Sequence, residues 1–269
     1  MVPELPEVES VRRRLEPALT RKRFARVLVR RPDLRTPFPR RFAARIAGTT
    51  ALAVVRRAKY LVVPLSSGET LLMHLGMSGW FEVSDTAVAL GRHDHVVFYM
   101  SSGAVVTFND PRRFGFMDLV GSDRWTTHPA LRALGPEPLS PDFDGFALAR
   151  ACRGRKTSLK AALLDQRIVA GLGNIYAVEA LHLARLSPQR RASTIATPAG
   201  APRESAHRLA AAIKEVLTRA IDVQTGQRSE RFRVYDREAE RCRRTTCSGV
   251  VRRGTQGGRS TFYCPVCQR

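Results

Sequence analysis

Over the first twenty residues, Val8, Val11, Leu15 and Leu19 recur at intervals of three and four, so they fall on one face of a helix. Pro6 suits the first turn, and Glu4, Glu7 and Glu9 favour the positive end of the helix dipole. Arg12, Arg13 and Arg14 lie largely off the apolar face. From about 25 to 120 the period shortens. "ARVLVRR", "ALAVVRR", "YLVVPL", "TLLMHLGM", "VVFYM" and "AVVTF" are short β-rich runs. Ser66-Ser67-Gly68 and Ser101-Ser102-Gly103 read as hairpin turns. "FPRRFAARIAG" interrupts them as a helix closed by Gly48. Many short antiparallel strands imply a sandwich or barrel.

The proline-rich stretch "LGPEPLSPDF", residues 134–143, reads as a hinge. The pattern then turns helical, in "FALARACRG", "SLKAALLDQ", "NIYAVEALHLA" and an amphipathic run from about 203 to 221. Residues 222–241 are polar and charged, and a cysteine module follows. The pattern predicts an α+β chain: an N-terminal antiparallel β-sandwich with a leading helix, then helices, then the cysteine module.

At 269 residues there is room for two domains, each with its own core. Forty-five Lys and Arg against 24 Asp and Glu leave a net charge of +21, which points to a polyanionic partner, most simply nucleic acid. The alternative is a compositional bias, because the excess is almost all arginine. Only Lys22, Lys59, Lys156, Lys160 and Lys214 are lysines, so each calls for an explanation. No stretch has the roughly 18 apolar residues of a membrane span, and the N-terminus does not read as a signal peptide. The expected compartment is the bacterial cytoplasm, at the nucleoid, with no membrane partner.

Four of the five cysteines fall between residues 242 and 267. The spacing Cys242-x4-Cys247-x16-Cys264-x2-Cys267 offers two ligand pairs around a β-compatible run. Four thiolates suit one structural, tetrahedral Zn²⁺ with no open position. A redox dithiol at Cys264-Pro-Val-Cys267 is the alternative. Arg252, Arg253 and Arg259 lie between the pairs and are expected at the tip of a zinc-braced hairpin, where they would read phosphate or a groove. Cys152 stands apart as a plain buried thiol.

Three further stretches carry chemistry. In "GLGNIYA", Gly171 and Gly173 permit a tight turn and Asn174 is placed to cap the next helix; the free N–H groups there form an anion site, or only an ordinary cap. In "HDHV", His93 and His95 fit a phosphate contact or a core hydrogen bond better than a metal. "NDPRRFGF" presents Arg112, Arg113 and Phe114 at a loop tip, for insertion between bases or to anchor a hairpin. Lys59, in "RRAKYLV", lies at a strand start beside Arg56 and Arg57; like charges and partial burial there would free its amine for proton transfer, although most such lysines are merely solvated.

Together "PELPEVE", "RRAKYL", "HLGMSG", "HDHV", "NDPRRFGF", "LGPEPL", "KTSLKAALLDQ", "GLGNIYA" and "GRSTFYCPVCQ" resemble the Fpg or MutM branch of the Fpg/Nei family of DNA glycosylases, in order and over essentially the whole chain. The resemblance implies a catalytic β-sandwich over residues 1–130, a linker over 131–141, a helix–two-turns–helix DNA-binding domain over 142–232 and a four-cysteine zinc finger over 233–269. It implies removal of oxidised purines, formamidopyrimidine and 8-oxoguanine, from damaged double-stranded DNA, followed by β,δ-elimination, in a monomer. Pro3 matches the nucleophile and Glu4 the general acid. Lys59 matches the lysine assisting β-elimination, and Arg259 the arginine linked to δ-elimination and phosphate binding. His93, Arg112, Arg155 and Asn174 match DNA contacts. Met77, Arg112 and Phe114 match the residues that fill the gap left by a flipped nucleotide.

Three features depart from the pattern. "IDVQTGQRSERFRVYDR" is shorter than the family's Gly-rich stretch before "VYDR", which closes over the flipped purine. The first cysteine pair encloses four residues where two are usual. Val2 precedes Pro3, and an internal proline nitrogen is an amide without a free lone pair. The expectation is a chain that starts at the valine codon, read as an initiator methionine and then removed. The rival readings are a Nei-like enzyme for oxidised pyrimidines and a damaged-DNA-binding protein whose Pro3 is blocked by Val2.

Overall fold

The computed structural model describes residues 2–86, 89–224 and 232–269. The core of the shortened stretch ahead of "VYDR", residues 225–231, lies outside the described residues, as does Met1. The chain divides into two compact units, Met1–Arg132 and Ala133–Arg269.

In the first unit, helix α1 spans Leu5–Leu19 and buries Val8, Val11, Leu15 and Leu19, the face set by the three-and-four spacing. Replacing the fully buried Leu15 by alanine would cost about 2–5 kcal/mol, because the neighbours only partly close the cavity. Two antiparallel four-stranded sheets follow. One has the order β1 (Phe24–Val29), β6 (Asp94–Met100), β7 (Val105–Asn109), β5 (Trp80–Ser84). The other runs β2 (Val55–Arg57), β3 (Tyr60–Pro64), β4 (Glu69–His74), β8 (Phe116–Gly121). A short helix α2, Phe42–Ile46, lies between β1 and β2 and is followed by Gly48. The β3–β4 and β6–β7 turns fall on the two Ser-Ser-Gly stretches. Both sheets and α1 contribute to one core, with Phe24, Phe98 and Phe108 from one sheet and Leu61, Leu71 and Met117 from the other.

Strands β5 and β8 lie outside the predicted runs. In β5, "WFEVS", only Phe81 is buried, so the run carries no apolar alternation.

The second unit is helical, with α3 (Gly145–Cys152), α4 (Leu159–Leu164), α5 (Asn174–Leu183) and α6 (Glu204–Gln224), and ends in a hairpin of β9 (Arg252–Gln256) and β10 (Arg259–Tyr263). Asp144 and Ser158 cap α3 and α4 with their side chains. Buried on nearly every face, α5 is the spine of the unit. Val178 on α5 joins Val234, Val251 and Phe262 in a small core that seats the hairpin. Cys152 is a buried free thiol, pushed up to about 11 by burial and so unreactive.

Candidate active site and metal centre

Pro3 lies directly ahead of α1, and Val2 before it is exposed. Glu4 is the N-cap and only 4% exposed. Its carboxylate accepts from the Glu7 N–H, and Glu7 Oε2 accepts from the Glu4 N–H at 2.8 Å, a reciprocal capping box. The box fixes the carboxylate next to Pro3.

Lys59 sits in the two-residue turn between β2 and β3, rather than at the strand start, after Ala58 at φ 53°. Arg56 steadies this turn. Its Nη1 donates to the Ala58 carbonyl at 3.0 Å and its Nε to Glu9 Oε2 at 3.1 Å. Glu9 therefore ties α1 to the hairpin that carries Lys59. Burial works to raise the Glu9 carboxyl, but hydrogen bonds from Arg13 and Arg12 hold it below its ordinary value. Across from Tyr60, the residue after Lys59, lies His74, pushed down to about 4 by burial and by the charges of Lys59 and Arg35.

A second cluster gathers around Asp110, which is fully buried. A register shift in β6 between Asp94 and Val96 turns His95 inward, where its Nε2 lies 2.9 Å from the Asp110 carbonyl oxygen. His95 is thus a core hydrogen-bonding residue, while His93 stays partly exposed and its carbonyl accepts from the Asp110 N–H at 3.0 Å. One Asp110 carboxylate oxygen accepts from the Ser78 hydroxyl at 2.6 Å and the other from the Gly115 N–H at 2.7 Å. Asp110 therefore joins the loop holding Met77 to the loop holding Arg112 and Phe114. Gly76, at φ 66°, makes the fit possible, because a Cβ there would come within 2.3 Å of the Phe114 carbonyl carbon. The two loops place Met77 and Phe114 on the surface, 37% and 41% exposed, with the Arg112 guanidinium 4.8 Å from the Phe114 ring centre. The three residues expected to act as a wedge belong to one stapled pair of loops.

In the second unit, Gly173 rather than Asn174 caps α5, so the expected cap is corrected. Asn174 is the first helical residue, and its side-chain N–H donates to the Ser260 carbonyl at 3.1 Å, while its Oδ1 is buried with no protein partner. Gln166 shapes the preceding turn: its Oε1 accepts from the Gly171 N–H and its Nε2 donates to the Leu172 carbonyl. Arg155 is partly committed, with Nε donating to the Ala151 carbonyl at 2.7 Å and Nη1 3.7 Å from Asp165. Arg259 is exposed at the start of β10, beside the Gly257-Gly258 turn. Arg252 and Arg253 stand at the other end of the hairpin, paired with Tyr263 and Phe262, so only Arg259 is at the tip.

Lys160 is fully buried, with Nζ donating to the Ser260 carbonyl at 3.0 Å and the Thr261 hydroxyl at 2.7 Å. Burial, then the charge of Arg259, pushes it down to about 8. Lys160 thus holds the strand that carries Arg259. The scarcity of lysine is the only sequence signal for it.

Cys242, Cys247, Cys264 and Cys267 bring their sulfurs within 4.8 Å of one another. Cys242 and Cys267 are 3.8 Å apart, and Cys247 and Cys264 3.6 Å. Four sulfurs around a tetrahedral ion at about 2.3 Å lie about 3.8 Å apart, so the set fits a metal despite the wide first pair. His182, which the sequence reading missed, lies against the cluster, with Nε2 3.2 Å from Cys242 Sγ.

Residues 2–117 match the formamidopyrimidine-DNA glycosylase N-terminal domain, and residues 134–231 match the formamidopyrimidine-DNA glycosylase H2TH domain. The chain belongs to the formamidopyrimidine-DNA glycosylase family. It is 52% identical to the formamidopyrimidine-DNA glycosylase of Nitrobacter winogradskyi over 292 aligned positions, covering 99% of this chain and 100% of the relative. It is 53% identical to that of Methylobacterium sp. strain 4-46 over 294 positions, covering 99% of each. These alignments exceed the 269 residues of the chain, so the relatives carry residues that it lacks. The fold matches Lactococcus lactis formamidopyrimidine-DNA glycosylase non-covalently bound to DNA containing an abasic site, with a TM-score of 0.88 and 30% identity over 99% of this chain and 100% of that one. It matches MutM in complex with DNA containing carbocyclic 8-oxoguanine at the same TM-score, identity and coverage. Among the described residues, no helix is long and apolar enough to cross a membrane.

Proposed function

We propose that this protein is a bifunctional DNA glycosylase and abasic-site lyase of base excision repair, acting as a monomer on damaged duplex DNA and removing oxidised purines. The observation that carries this reading is the end-to-end match to glycosylases of that name, with solved relatives bound to abasic-site and 8-oxoguanine DNA. The +21 charge suits the substrate.

In this reading a free Pro3 amine attacks C1′ of the damaged nucleotide and the base leaves. Such an amine has a pKa of about 7.7–8.0, so a useful fraction is neutral at pH 7. Glu4, held beside it by the capping box, protonates the ring oxygen and the sugar opens. The secondary amine gives an iminium whose positive charge is an electron sink. Lys59 assists removal of the C2′ proton, and the 3′ phosphate departs. Arg259 binds the phosphate that leaves in the second elimination. Met77, Arg112 and Phe114 fill the gap left by the flipped nucleotide, which offsets the few kcal/mol that flipping costs. His93, Arg112, Arg155 and Asn174 contact the DNA. Cys242, Cys247, Cys264 and Cys267 would hold one structural Zn²⁺, which would cross-link the module rather than take part in the reaction.

Borohydride trapping on 8-oxoguanine duplex tests the reading with two forms of the chain, one beginning at Met1 and one at Pro3. The form beginning at Pro3 is expected to give a covalent adduct and the form beginning at Met1 none. Binding without an adduct from either form would establish the damaged-DNA-binding protein instead. Incision of formamidopyrimidine, 8-oxoguanine and oxidised pyrimidine duplexes then sets the lesion class.

A further inference from the structure

We propose that the helical unit carries a phosphate-binding pocket built from Arg153, Arg190 and Arg203, none of which the family resemblance assigns to DNA or to the reaction. The three arginines line a pocket of about 580 Å³ together with Ser193, Thr194 and Thr197. Among the described residues, no acidic one lines it.

The guanidiniums are oriented by neutral oxygens of one short loop. Arg153 Nε donates to the Pro198 carbonyl at 3.1 Å, Arg203 Nε to the Ala196 carbonyl at 3.2 Å and Arg190 Nε to the Thr194 hydroxyl at 2.8 Å. Arg190 Nη1 also donates to the main-chain oxygen of the last residue, Arg269, at 3.1 Å. Anchoring through Nε fixes each planar fork while sparing the terminal N–H groups of Arg153 and Arg203 from these bonds. Such forks match the oxygens of phosphate. Gly200, at φ 94°, seats the Arg153 side chain: a Cβ there would come within 3.2 Å of Arg153 Cδ.

No acidic side chain compensates the charge. Among the described residues, none of the three arginines makes an ion pair with an Asp or Glu side chain, whereas Arg12, Arg45 and Arg167 all do. Those three guanidiniums are raised above the ordinary arginine value. Arg190 moves the other way, lowered by burial and by Arg208 and Arg203. Fixing like charges together beside a pocket disfavours the empty site, and a bound anion removes that penalty. Richness in arginine alone does not account for this grouping, since the same composition elsewhere places arginines against carboxylates. The ligand chemistry is a phosphate group, either a phosphodiester of a DNA strand or a free phosphate.

Two measurements on the full chain decide it. The first follows the arginine Nε–H resonances by NMR during titration with inorganic phosphate, with chloride at matched ionic strength as the control. The resonances of Arg153, Arg190 and Arg203 are expected to move together and saturate with one constant under phosphate alone. This arm needs no variant. The second measures binding of an undamaged duplex against salt for the parent chain and Arg203→Gln, with melting curves to confirm that the variant folds. If a DNA phosphate occupies the pocket, the logarithmic salt slope falls by about one. Saturation with an unchanged slope assigns the pocket to free phosphate. Non-saturating shifts that match chloride, with an unchanged slope, overturn the proposal. Neither readout involves incision, so a failure of the glycosylase reading leaves both interpretable.

Discussion

The Nε2 of His182 lies 3.2 Å from the Sγ of Cys242 and 3.8 Å from that of Cys267. The imidazole is fully buried at the C-terminal end of α5. A thiolate holding a metal can only accept, so His182 donates its Nε2–H there. Partners just outside the ligand set typically account for about 10–100-fold in metal affinity. His182→Phe is expected to speed metal loss to a competing chelator by at least about tenfold. His182→Gln, which keeps an N–H donor, should retain part of the effect. Metal release followed by absorbance measures it, and equal rates for all three chains would remove His182 from the metal site.

Glu179 lies one turn earlier on α5 and fixes the approach to the cysteine module. Its Oε1 accepts from the Val234 and Tyr235 N–H groups and its Oε2 from that of Arg233, all at 2.8 Å. Burial raises its pKa, while those three donors oppose the shift. Glu179→Ala would leave three backbone donors without their acceptor, at about 1–3 kcal/mol for each that water does not reach. Denaturant unfolding of the metal-loaded chain should show a loss of about 3 kcal/mol or more. A loss below about 1 kcal/mol would mean that water replaces the carboxylate.

Periodicity alone exposes α1, because one buried face at helical spacing leaves a clear pattern. The cysteine cluster is legible for a different reason: four soft ligands in two pairs have few other uses. Glu179 and His182 escape notice in the sequence, and Lys160 is marked only by the scarcity of lysine. For Glu179 and His182 the reason is that α5 is buried all round, so no polar stripe sets them apart. Asn174 is misplaced by one position, because a glycine able to take the cap precedes it. Arg252 and Arg253 are expected at the hairpin tip because spacing between cysteines does not reveal where the two strands turn. Asp110 reads as part of a turn, and only the tertiary fold shows its carboxylate holding two loops.

Acid should weaken the first unit through His74. Its Nδ1 accepts from the Gly76 N–H at 3.0 Å, its ring packs 4.8 Å from Tyr60, and burial, then the charges of Lys59 and Arg35, oppose its protonation. Its pKa falls from 6.5 to about 4 on folding, so between those values the unfolded chain binds more protons. Stability from this group is therefore complete above about pH 6.5 and is lost as pH falls towards 4, with a slope of at most about 1.4 kcal/mol per unit. His74→Gln should flatten that part of the stability–pH curve. An unchanged slope would place the acid sensitivity elsewhere.

The wedge should depend on Asp110 as much as on the residues it displays. Asparagine at 110 keeps one acceptor and turns an N–H group towards either the Ser78 hydroxyl or the Gly115 N–H, both of which donate to Asp110. Asp110→Asn is expected to cost about 1–3 kcal/mol, because the site is fully buried. It should also slow single-turnover incision of lesion duplex by at least tenfold, since Met77 and Phe114 lose their common anchor. Phe114→Ala should slow incision similarly with little change in melting, because the ring is 41% exposed. The pair separates placement from filling: one variant alters stability and incision together, the other incision alone. Normal incision by Asp110→Asn would show that Gly76 and the backbone hold the two loops without the carboxylate.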